Sequence, residues 1–127
     1  MDQTKGDQKM RGEQFAAEFL TSNGFEIIDR NFRLVDEEID IIAIETDLYT
    51  SEKTVVFLQV TTRFLEEFDA LFESMGYHKI RTLIKATQLY KSEHPKLPEL
   101  MRIDVVSVLL NENGDLLDIE LVKNITG

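Results

Sequence analysis

The chain has 127 residues, 43% of them hydrophobic, which suffices for one packed core and fits one domain. Its 24 acidic residues outnumber 14 basic ones, and the formal net charge of -10 disfavours general affinity for a polyanion such as nucleic acid. The absence of cysteine excludes disulfides and thiolate metal sites, and no apolar run approaches the roughly 18 residues of a membrane span, so a cytoplasmic protein with no membrane association is expected.

Met1 to Lys9 are polar and patternless, which predicts a mobile tail ahead of one domain over residues 10–127. From Met10 to Asn23 the residues Phe15, Ala16, Phe19 and Leu20 recur at helical spacing, and Gly24 stands where a left-handed helix terminator belongs. Phe25 to Leu34 and Ile39 to Ile44 read as two strands separated by the polar Asp36-Glu37. Strict alternation gives the second strand Ile39, Ile41 and Ala43 on one face and Asp40, Ile42 and Ile44 on the other, a pattern that suits a central strand covered on both sides. Thr54 to Thr62 has high strand propensity and completes a three-strand meander.

Glu66 to Ser74 is acidic with Phe68, Leu71 and Phe72 interspersed, and reads as a short helix or an ordered loop. After Gly76, Ile80, Leu83, Ile84, Thr87 and Tyr90 form a helical stripe that ends before His94-Pro95-Lys96-Leu97-Pro98. Ile103 to Leu110 is apolar on both faces, Asn113-Gly114 is a hairpin signal, and Leu116 to Val122 returns as a last strand. The expected order is α-β-β-β-α-β-β, a mixed sheet flanked by helices, with a crossover that pairs the third and fourth strands in parallel.

Several strings in this order resemble the YraN-type family, a bacterial family assigned to the PD-(D/E)XK nuclease superfamily near the Holliday-junction resolvases. They are Gly12-Glu13 with Ala16-Ala17, Arg30-Asn31-Phe32-Arg33, Glu38-Ile39-Asp40, Val56 through Arg63, Lys79, and Arg102-Ile103-Asp104-Val105-Val106. The resemblance implies a restriction-endonuclease-like α/β fold. It also marks two departures: Glu37-Glu38-Ile39-Asp40 stands where the family reads Gly-Glu-Ile-Asp, and Gln59-Val60-Thr61 where it reads Glu-Val-Lys.

A nuclease of that type needs a divalent ion on oxygen ligands, which orients a water and neutralises charge on the phosphate. The resemblance makes Asp40 one ligand and Glu13 a second acid facing the same cleft, with positions 59 and 61 on one face of the adjacent strand. Gln59 keeps an oxygen but loses the charge, and Thr61 cannot replace an ammonium. No cofactor is therefore required, and Mg²⁺ or Mn²⁺ would bind only weakly. Each position also has a structural reading: Asp40 as a buried carboxylate satisfied by Arg33, Arg63 or backbone donors, Glu13 as a solvated helix residue, and Asp104 as a partner of Arg102 or Lys79.

Lys79, Arg81 and Lys85, with Arg30, Arg33 and Arg63 expected nearby through the fold, form the candidate surface for DNA or RNA; a solvated helix face is the alternative account. His78 and His94 are too isolated for a zinc site, and no serine lies in a nucleophile pattern. Three functions are carried forward: a catalytically degenerate nuclease-fold protein that retains nucleic-acid binding; an acidic interaction module, of inhibitor or immunity type, for a basic protein partner; and a metal-dependent nuclease with a site rearranged onto Glu13, Glu38 and Asp40.

Overall fold

The computed structural model describes residues 5–34, 37–64 and 77–126. The elements follow the expected order: α1 (Lys5–Ser22), β1 (Phe25–Arg33), β2 (Glu38–Thr46), β3 (Lys53–Phe64), α2 (Tyr77–Glu93), β4 (Leu100–Leu110) and β5 (Leu116–Val122). The acidic segment from Glu66 to Ser74 lies outside the described residues.

The five strands form one mixed sheet in the order β1-β2-β3-β4-β5. The first three make the antiparallel meander, β4 pairs with β3 in parallel after α2, and β5 returns antiparallel. The last turn closes at Gly114, whose φ of 83° favours a residue without a side chain. At the end of α1, Gly24 takes a φ of 88° and its N–H donates to the Thr21 carbonyl, which caps the helix.

The helices cover opposite faces. Ala16, Ala17 and Leu20 of α1 pack on Ile41, Ala43, Val56, Leu58, Val106 and Val108. Leu83, Ala86 and Tyr90 of α2 pack on Ile39, Ile42, Val55, Phe57 and Ile103. Tyr90 anchors that second layer: its ring meets Phe32 and Phe57 edge to face, and its hydroxyl donates to Asp29 at 3.0 Å. Among the described residues no helix is long and apolar enough to cross a membrane.

Two expectations need correction. Residues 5–9, read as tail, belong to α1, because Lys9 is tied to three carboxylates; apolar periodicity cannot reveal a helix start held by polar contacts. Strict alternation in β2 also fails. Ile39 and Ile42 share the cluster under α2 although three residues apart, while Asp40 turns its carboxylate towards Lys9 of α1. Asp40 and Ile42 are thus not on one face.

Candidate functional site

Beyond the last β2–β3 pair, Ile41 with Leu58, the two strands part. Side chains take over the hydrogen bonds the ladder gives up. The Val60 N–H donates to Asp40 Oδ2 at 2.7 Å, and the Gln59 side-chain amide donates to the Glu38 carbonyl. The opening is a cleft of about 390 Å³ lined by Lys9, Arg33, Leu34, Glu37, Glu38, Asp40, Gln59, Val60 and Lys79.

α1 reaches this cleft because Gly12 lets the helix lie directly on β3. A Cβ at Gly12 would stand 1.7 Å from Thr62 Oγ1, so any larger residue would push the helix away. The close approach puts Lys9 and Glu13, one turn apart, beside Asp40. The Lys9 ammonium bonds Glu13, Glu38 at 2.9 Å and Asp40 at 3.2 Å. Asn31, held at a φ of 56°, donates its amide to Glu13 at 3.1 Å and Glu38 at 3.4 Å. Arg33 adds a bond to Glu38 at 3.2 Å.

Three carboxylates thus share two cations, and the deficit falls on Asp40. Burial pushes its carboxyl up to about 6, the charge of Glu13 adds to the rise, and the Val60 N–H and Lys9 offset part of it. Burial also works against the charge on Lys9, but its bonds to Glu13 and Glu38 and the field of Asp40 outweigh that and hold the ammonium above its ordinary value. Hydrogen bonds from Lys9 lower Glu38, with Arg33 contributing.

Of the residues singled out in the sequence, Glu13, Asp40 and Gln59 come together here. Glu13 is buried, not a solvated helix residue; Asp40 has the backbone donor expected for it, the Val60 N–H, and its cation is Lys9 in place of Arg33 or Arg63. Thr61 does not line the cleft. Lys79 does, bound to Glu37 at 2.7 Å, whereas Arg81 and Lys85 point to solvent from α2 and Arg63 sits half-buried on β3.

Lys9, Asn31 and Glu37 were not anticipated as members of the site. The i,i+4 spacing of Lys9 and Glu13 was the available signal for the first. Glu37, where the resembled pattern has glycine, is buried and accepts from Lys79 and from the Thr82 hydroxyl at 2.7 Å, which fastens the start of α2 to β2. Burial raises its carboxyl, but those two bonds outweigh it and the net shift is downward.

A divalent ion does not fit this arrangement. The Lys9 ammonium stands among the three carboxylates, in the space an ion would need, and its charge opposes a second cation there. Gln59 presents its nitrogen to a backbone carbonyl, and only the donor end of an amide can do so. Among the described residues, no group of three or more His, Asp or Glu is arranged to hold an ion.

Residues 12–108 match the model of "Uncharacterised protein family UPF0102". A UPF0102 protein of Caldicellulosiruptor saccharolyticus is 37% identical over 113 residues, covering 89% of this chain and 91% of the relative. Others, from Clostridium botulinum and Dictyoglomus turgidum, are 34% and 33% identical over 89% of this chain and 88% and 91% of the relatives. A repair endonuclease from Pyrococcus abyssi aligns with 90% of this chain and 42% of its own length, at a TM-score of 0.40 and 17% identity, a distant likeness to a protein more than twice as long. The family match and the near full-length relatives agree with the resemblance read in the sequence: this chain is a member of the UPF0102 family, the YraN type.

Proposed function

We propose that this protein has a nuclease-derived fold of the restriction-endonuclease-like type and binds nucleic acid without cleaving it. The observation that carries the reading is the cleft itself, where the motif's acid is a glutamine committed to the Glu38 carbonyl and its lysine is a threonine outside the lining. Nucleic-acid binding is supported by Arg33 and Lys79, whose side chains are 75% and 43% exposed beside the cleft, with Arg81 and Lys85 exposed further along α2. The net charge of -10 keeps such binding local and salt-sensitive.

The test pairs binding with cleavage. Fluorescence anisotropy with branched, single-stranded and duplex DNA and with RNA at low ionic strength should show salt-dependent binding that Arg33→Ala with Lys85→Ala weakens at least several-fold. Incubation with Mg²⁺ or Mn²⁺ should leave every substrate intact. Absence of binding to all forms ends the reading; metal-dependent cleavage by the wild type replaces it with a rearranged nuclease site on Glu13, Glu38 and Asp40.

A second reading, docking to a basic protein, is favoured by the edge strand β5, which exposes Asp118 and Glu120 next to Leu116 and Leu117 at 39% and 49% exposure. Charges on an edge strand also guard against unwanted strand pairing. Replacing Asp118 and Glu120 by lysine separates the two roles, since capture of a basic partner must then fail.

A further inference from the structure

The carboxylates of the cleft need a counter-charge, and the chain carries it. Glu13 comes from α1, Glu38 and Asp40 from β2, and one ammonium touches all three. Glu13 and Asp40 are 4% and 3% exposed, so solvent does little to disperse their charge. Position 61 of β3 lacks a lysine, yet a lysine reaches the cleft from a different element. Its ammonium is covalently attached, so it meets the carboxylates without the cost of bringing a free ion to them.

We propose that Lys9 is the built-in counter-ion of this cleft and keeps divalent ions out of it. The ammonium occupies the space the three carboxylates surround and supplies the positive charge they need. Asn31 bonds the remaining oxygens of Glu13 and Glu38 and keeps these two side chains tethered when the ammonium is removed; the three carboxylates, which are not arranged around an ion with Lys9 present, are then free to turn to one. Half of the Lys9 side chain is exposed, which leaves a path for an ion to enter once the charge is gone. Ca²⁺ tolerates a less regular oxygen shell than Mg²⁺ and is the ion these carboxylates admit most readily.

The experiment is calorimetric titration of Mn²⁺ and Ca²⁺ into wild type, Lys9→Met and Lys9→Arg, with melting temperatures in EDTA and in each ion. Wild type and Lys9→Arg should take up neither ion, and their melting temperatures should not move. Lys9→Met should melt lower in EDTA, recover with either ion, and bind at least ten-fold more tightly than wild type. Adding Asp40→Asn to Lys9→Met should abolish that gain. If Lys9→Met does not fold, Lys9→Gln serves as the charge-free variant. The proposal is overturned if wild type binds these ions as tightly as the charge-free variant, or if that variant gains no affinity. Because the readout is ion affinity, the outcome does not depend on whether the protein binds nucleic acid.

Discussion

Asp40 on β2 and Asp104 on β4 are buried almost equally, 3% and 0% exposed, yet their surroundings differ. Asp104 receives a two-pronged bond from Arg102, Nε to Oδ1 at 2.8 Å and Nη2 to Oδ2 at 2.9 Å, and the Asn124 N–H at 2.8 Å. Arg102 in turn binds Glu45, and the two acids more than offset the effect of burial on the guanidinium. Asp40 has one backbone donor and a share in a lysine that two other acids also use. Burial of an acid is therefore no sign of function. What separates the two is whether the donors match the charge, and the mismatch sits in the open cleft.

The largest expected effect comes from breaking the matched site. Asp104→Ala strands the Arg102 guanidinium, half of whose partners vanish, and should cost about 3–5 kcal/mol in chemical denaturation. A loss under about 1 kcal/mol would mean that Asp104 does not hold this corner of the sheet.

Asp40→Asn should act less and depend on pH. The folded protein holds the Asp40 proton up to about 6, above the ordinary 3.8, so its stabilising contribution is complete below 3.8 and is lost as pH rises through 6. Asparagine removes that loss. Relative to wild type, the variant should gain on the order of 1–3 kcal/mol between pH 4 and 7, measured as urea midpoints at each pH. Parallel profiles for the two proteins would mean that Asp40 is as well matched as Asp104.

The smallest effect sharpens the matched side. Lys123 binds Glu45 at 2.9 Å but is 51% exposed, so Lys123→Ala should change stability by only about 0.2–1 kcal/mol. A larger loss in the same denaturation assay would shift the centre of that network from Arg102 to Lys123.

The sequence made the Arg102–Asp104 pair legible because residues two apart on a strand share a face, and the meander, the parallel crossover and the Asn113-Gly114 turn because each has a local signature. The Lys9–Asp40 contact was not legible. It joins residues 31 positions apart, both polar, and neither apolar period nor turn chemistry encodes it. The true orientation of Asp40 was hidden for a related reason: alternation assumes an unbroken ladder, and the β2–β3 ladder stops at Ile41. The family motif pointed to Asp40, Glu13 and Gln59, and their surroundings followed from packing that no string of residues records.

Every strand in the sheet pairs with its neighbour in the chain, and β3 with β4 is the parallel pair among them. This has a kinetic consequence. The meander with α1, and the β4–β5 hairpin, each form through short connections, whereas joining β3 to β4 must close the stretch between Phe64 and Leu100. That closure carries the largest entropic cost of the three and is the step expected to limit the folding rate. It also marks where two copies can trade partners: a chain whose α2–β4–β5 half docks on another chain's meander satisfies the same hydrogen bonds, so at high concentration the route to a swapped dimer runs through this one connection.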